Sequence, residues 1–300
     1  MLSEKFKITL GFILASLIWG STWLAIKIGL ESIPPFYAAA FRFSVAVVVL
    51  FLIITLRGMP LPLDIPSIKL YTIAALMSFS VPFAMVYWGQ QFIPSGLSSL
   101  LFALYPFMVG IFSHFLLPNE RLNIFKVAGI ILGFIGIFII FSQDISWSGT
   151  FSLYGMIAVI TSCIIQALSL VLIKKYGENV DAFHLNTGGM GLSVIILFLF
   201  AFLFEDFNDV HFNIAGVGSV LYLGIIGSVV TFSTYFWMLK RVEAVYLSLL
   251  AFITPILAVI LGAIILNEKL GTHIIQGGAL VLVGILTSNG KYILKQIYKK

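Results

Sequence analysis

Charge is what this sequence has least of. Asp, Glu, Lys and Arg together make up 10% of its 300 residues, where an ordinary soluble domain is about a quarter charged. The single cysteine, Cys163, excludes an internal disulfide and any cysteine-based metal site. Four histidines, His114, His184, His211 and His273, are scattered without metal-ligand spacing. A nucleotide-binding glycine loop is missing. One acidic run, Glu205 to Asp209, has no second acidic motif on the same side to hold magnesium and a diphosphate. The basic residues occur in ones and twos and form no stripe, which excludes a nucleic-acid surface. Neither a cofactor nor a metal is expected, and nothing in these patterns supports an enzyme.

Apolar residues, at 60%, and a mean hydropathy of +1.11 are more than a soluble core can hide, so the solvent is lipid. Ten apolar stretches are long enough to cross a hydrocarbon core of about 30 Å, near 8–29, 36–56, 69–89, 94–117, 123–142, 151–173, 183–204, 213–237, 244–266 and 272–290. The first follows Lys5 and Lys7 like a signal peptide but continues through Trp19 and Trp23, so it is read as a span. Fourteen of the seventeen Lys and Arg residues fall in alternate connectors and at the two termini. The positive-inside rule then places both termini in the cytoplasm of a cell (inner or plasma) membrane protein.

The chain also repeats itself. Ser99-Leu100-Leu101 and Pro106 match Ser248-Leu249-Leu250 and Pro255. After a one-residue slip, Asn119-Glu120, Gly129 and Gly136 match Asn267-Glu268, Gly277 and Gly284. A period near 149 makes two halves, 1–147 and 148–300, each with an odd number of spans. The copies therefore face opposite ways, the plan of secondary transporters. The expected fold is an all-α integral membrane protein, ten transmembrane helices arranged as a five-plus-five inverted-topology repeat forming one transport unit.

Several residues stand out against the apolar background. Trp19 lies too deep for an interfacial belt and shares a helix face with Trp23. Lys27 reads equally as a snorkelling side chain. Arg42 sits about two turns into helix 2, where a lipid-facing arginine costs roughly 2.5–3.5 kcal/mol on insertion scales, so it is expected to face the bundle or water. Its counterpart in the second half is Gly191, so the charge is not a repeated structural device. Pro106 and Pro255 are expected to kink their helices and to serve as hinges. The glycine stripes of helices 5 and 10 predict close helix packing, within the chain or in a homodimer through those faces. Glu120 and Glu268 read as helix caps.

Trp19-Gly20-Ser21-Thr22-Trp23, Pro34-Pro35 followed by Phe41-Arg42-Phe43, the paired Asn-Glu-Arg-Leu and Asn-Glu-Lys-Leu turns and the glycine-rich helices 5 and 10 resemble the EamA-type transporters of the drug/metabolite transporter superfamily. The second half departs from the pattern, with Cys163-Ile164-Ile165 where the Trp-Gly-Ser motif would recur. The resemblance implies helices 1–4 and 6–9 around a central cavity, helices 5 and 10 outside it, and export of amino acids, related metabolites or xenobiotics. The expected function is export of small amphipathic metabolites, amino acids or amino-acid-like compounds, by alternating access. An aromatic wall of Trp19, Trp23, Tyr87, Trp88, Tyr105 and Trp237 would surround the solute, and Arg42 would hold its carboxylate. The alternatives are a lipophilic-drug exporter, with Arg42 structural, and a membrane enzyme or scaffold. With no securely buried carboxylate to relay protons, facilitated export is expected before proton coupling through a histidine such as His114.

Overall fold

The computed structural model describes residues 4–117, 122–144, 149–177, 180–242 and 250–288, together with Leu247 and Gly290. The Asn119-Glu120 turn, Ser248-Leu249 and the C-terminal lysines fall outside these residues. Every described element is helical. The rods are α1 (Glu4–Gly29), α2 (Pro35–Leu56), α3 (Ile65–Gln90), α4 (Ser95–Leu116) and α5 (Ile124–Asp144), followed by α6 (Gly149–Tyr176), α7 (Ala182–Phe204), α8 (Ile214–Leu239), α9 (Leu250–Ile265) and α10 (Thr272–Ser288). Seven of them, α1–α4 and α6–α8, are long and apolar enough to cross a membrane. The apolar parts of α5, α9 and α10 are shorter. The chain is a multi-pass membrane protein.

Local chemistry sets the helix starts and stops. Asp64 caps α3 by accepting from the Ser67 amide and hydroxyl, Asp181 caps α7 through the Phe183 amide, and Asn213 caps α8 through Gly216, as short polar N-cap residues do. Those hydrogen bonds hold the exposed Asp64 carboxyl below its ordinary pKa, the Ser67 hydroxyl contributing most. At the end of α2, Gly58 takes φ of 61° and lets the Met59 amide close back on the Ile54 carbonyl, the left-handed stop that glycine makes readily.

Two helices depart from α-geometry at matching places. Ala75–Ser80 of α3 and Tyr222–Val230 of α8 are π-helical. In each, a hydroxyl bonds the carbonyl five residues back: Ser80 to Ala75, Ser228 to Leu223 and Thr231 to Ile226. Pro82 follows the first stretch and lacks an amide hydrogen; Thr231 follows the second. Wide turns of this kind occur frequently at functional sites.

The most extensive helix pairing joins α5 to α10. A Cβ on Gly136 would meet the Gly277 carbonyl, one on Gly129 the Gly284 carbonyl, and one on Gly133 the Phe107 ring. The glycine stripes thus meet each other within one chain, and a homodimer would have to use another surface. Elsewhere α2 packs along α7, α3 along α6 and α7, and α1 along α9.

The two prolines expected as matched hinges are not equivalent. α4 is interrupted at Ala103-Leu104, with Pro106 opening its second segment, whereas Leu250–Ile265 runs as continuous helix with Pro255 inside it. Placing a proline in the first turn of a new segment leaves no intrahelical donor missing. Within α9 the lost bond is tolerated.

Candidate functional site

A cavity of about 140 Å³ lies at the centre of the bundle, walled by α1, α2, α3, α4, α6, α8 and α9. α7 contributes nothing to this wall although the family pattern implied it would; it backs α2 and α3 instead. α5 and α10 lie outside, as the resemblance implied.

Helix α1 brings its aromatic face to the cavity. Trp19 packs its ring 5.0 Å from Tyr235 and 5.4 Å from Phe232, both on α8. Trp23 packs 5.4 Å from Phe102, which stacks on Tyr105 of α4 at 5.6 Å. Tyr105 and Tyr235 both line the cavity, their phenol groups near each other. The residues between the tryptophans serve packing. A Cβ on Gly20 would collide with Leu257 of α9, and Ser21 shares a 2.6 Å hydrogen bond with Tyr222 of α8. The motif thus seats α1 against two second-half helices while presenting its indoles to the cavity.

Arg42 lines the same cavity and is only 2% exposed. Its Nε donates to Ser228 Oγ at 3.0 Å. The contacts of Nη2 to the Gly227 carbonyl and of Nη1 to the Tyr87 hydroxyl are long, at 3.4 and 3.5 Å. Its guanidinium lies 4.6 Å from the centre of the Phe83 ring and 5.4 Å from that of Phe43. Among the described residues no carboxylate pairs with it. A guanidinium has five donors, so two of this one's are unspent and two more are engaged only at long range. Ser228 holds it from the π-helical part of α8, where the wide turn and Gly227 bring backbone close.

Trp19, Trp23, Arg42, Tyr105 and Pro106 therefore converge on one cavity, and three other expected residues do not. Tyr87 is buried behind Arg42. Trp88, the next residue, points to the other side of α3, packs 5.0 Å from Phe92 and lines a separate cleft of about 980 Å³ beside Glu31, Glu205 and His211. Trp237 lies under Arg241, whose guanidinium is 4.4 Å from its ring. Sequence reasoning missed Gln166 of α6, a half-buried amide on the cavity wall, as well as Ser78, Thr254 and Tyr235. Gln166 had a visible signal, a lone amide in an apolar run. For His114 the structure supplies a structural partner: its Nδ1 accepts from the Leu122 amide at 3.3 Å.

Beyond the cavity, at the end of the bundle away from Glu4, two carboxylates reach across to other helices. Glu205, just past α7, accepts from the Phe36 and Tyr37 amides at the start of α2, at 2.7 and 2.9 Å. Burial pushes its pKa above the ordinary carboxylate value, and the two amides pull the other way. Glu268 accepts from the Ser95 and Gly96 amides at the start of α4, at 2.7 and 3.1 Å. It was expected as a cap and is one, for a distant helix. Lys27 neither snorkels nor faces the solute: its Nζ donates to the Gln90 and Ile93 carbonyls at 2.6 and 3.2 Å.

Comparison with known proteins agrees with this architecture. The EamA-like transporter family matches the chain twice, at residues 6–142 and 153–290. An uncharacterized transporter of Bacillus subtilis, YoaV, is 29% identical over 97% of this chain and 99% of its own length. The protein PagO of Salmonella typhimurium is 30% identical, covering 90% of this chain and 88% of its own. A WAT1-related chloroplastic protein of Arabidopsis thaliana is 29% identical over 90% of this chain and 66% of its own. A solved crystal structure shares the fold, with a TM-score of 0.71 and 21% identity across 94% of this chain and 96% of that one. These matches, the second falling on the second half of the chain, place the protein in the EamA-like transporter family.

Proposed function

We propose that the chain is a ten-span carrier, two five-helix halves (1–147 and 148–300) of opposite orientation, that exports small amphipathic metabolites by alternating access. The substrate class is amino acids or amino-acid-like compounds, and both termini lie in the cytoplasm of the cell membrane. The observation that carries this reading is Arg42: a buried guanidinium on the cavity wall, held by one short hydrogen bond and without a carboxylate partner among the described residues. A buried cation is costly unless an anion reaches it. A solute carboxylate docking in a bidentate fork would meet that need, while Trp19, Trp23, Tyr105 and Tyr235 would bind an apolar body or an ammonium by its cation–π attraction.

The aromatic wall alone favours a second reading, a lipophilic-drug exporter. Against it, about 140 Å³ is well below the roughly 300–1,000 Å³ of drug-sized pockets. Counterflow in proteoliposomes separates the two. Labelled zwitterionic amino acids should exchange across the membrane, and unlabelled lipophilic cations should not compete. Exchange of lipophilic cations that zwitterions leave untouched would replace the first reading with the second. Repeating the assay with and without an imposed pH gradient tests coupling; facilitated export predicts no accumulation driven by protons alone.

A further inference from the structure

The α3–α4 turn, residues 90–96, lies beyond the cavity at the end away from Glu4. Val86 and Ile26 are among the cavity residues nearest that end. One helical turn beyond Val86 comes Gln90, and Lys27 follows Ile26. Gln90 and Ser95 are wholly buried, and among the described residues neither amide atom of Gln90 nor the Ser95 hydroxyl has a hydrogen-bond partner. Polar atoms sealed in this way cost free energy and do not persist without a reason.

Opposite charges grip the turn from two sides. Lys27 of α1 satisfies the carbonyls of Gln90 and Ile93, the negative end of the α3 dipole. Glu268, from the α9–α10 connector of the second half, satisfies the amides of Ser95 and Gly96, the positive end of the α4 dipole. The backbone aims Glu268 there. Asn267 takes φ of 53°, a left-handed conformation that asparagine tolerates better than most residues, and the Glu268 amide turns back onto the Gly262 carbonyl. Gly262 leaves the room: a Cβ there would overlap Glu268 Oε2 and come within 3.0 Å of Ser95 Oγ.

We propose that Lys27 and Glu268 are the gate of the carrier at this end, a clamp tied to the second half through Glu268 that must let go of the α3–α4 turn for the solute to pass. Release brings the Gln90 amide and the Ser95 hydroxyl to water, which makes their unpartnered state in the sealed form the counterweight that keeps the gate able to open. The inference rests on the alternating-access reading, but its test does not need transport.

The test uses a cavity cysteine, Val86→Cys, in a Cys163→Ala background, labelled by a membrane-impermeant maleimide from each side in turn. Glu268→Gln and Lys27→Met each weaken one side of the clamp, and Gly262→Ala displaces it without touching a charge. Each should label roughly tenfold faster from the gate side, the shift expected when charge-assisted hydrogen bonds are weakened, and more slowly from the opposite side. Should Glu268→Gln fail to fold, Gly262→Ala and Lys27→Met decide. Unchanged labelling in folded variants, or equal acceleration from both sides, would overturn the gate. Counterflow distinguishes the two failures: gate-side labelling that responds in a protein without exchange keeps the gate and removes the carrier reading.

Discussion

Arg42 shows what one side chain can decide. Removing a structural guanidinium leaves its partners stranded, yet this one has a single short hydrogen bond, to Ser228, and no carboxylate to strand among the described residues. Arg42→Ala should therefore leave the thermal melting of detergent-solubilised protein within a few degrees while weakening solute binding by about 2–5 kcal/mol, the loss typical of truncating one partner of a buried charge pair. Arg42→Lys should recover only part, because a point charge replaces a fork. A collapse in stability with retained affinity would make Arg42 an architectural residue. Arg42, Trp19, Trp23 and Tyr105 were legible in the sequence because each stands out against an apolar helix. Trp88 was misplaced because neighbouring residues on a helix point about 100° apart; Tyr87 took the position behind Arg42 and left Trp88 facing the outer cleft. Trp237 failed for a different reason: Arg241, one turn on, covers it.

At the scale of single helices, the apolar runs located the rods to within a few residues, since lipid demands long uninterrupted hydrophobicity. The π-helical stretches left no trace in that pattern, because they arise from hydroxyls reaching carbonyls five residues back rather than from periodicity. Two predictions belong here. Pro106→Ala should heal the interruption at Ala103-Leu104 and slow turnover with binding largely kept, whereas Pro255→Ala should do less, its helix being already continuous. Stopped-flow exchange against equilibrium binding measures the difference, and equal effects would restore the matched-hinge expectation. The second concerns Glu205, whose pKa is raised by burial. The folded protein then takes up a proton at a pH where the unfolded chain has already lost it. Stability should fall as pH rises from the ordinary carboxylate range through the raised value, and level off above it. Glu205→Gln should flatten that segment of a melting-temperature profile, and an unchanged slope would assign it to another group.

For the molecule as a whole, the seam between α5 and α10 and the orientation of the halves are separately testable. Gly136→Val pushes methyl groups into the Gly277 carbonyl and Val281. It should cost about 1–3 kcal/mol of stability, as overpacking does, without altering solute affinity, because neither helix lines the cavity. A loss of affinity instead would tie the seam to the site. Inverted halves require single cysteines at Asn119 and Asn267, with Cys163 removed, to label from opposite faces of the membrane; labelling from one face would end the inverted reading. The duplication itself was legible because turns and glycines recur at fixed spacing. The asymmetry of the site was only half legible: Gly191 opposite Arg42 signalled it, but the missing contribution of α7 depends on packing that no single strand of sequence records.

That glycine seam also carries a timetable. The partner of α5 is the last helix described, so a ribosome that has just released Gly129 and Gly136 into the bilayer must still make more than a hundred residues before Gly277 and Gly284 emerge. Until then the close-approach face of α5 meets only lipid or whatever the insertion machinery offers. The seam therefore closes only when α10 has emerged, and a chain cut short before α10 would leave the first half unclasped, an open seam for quality-control proteases to recognise.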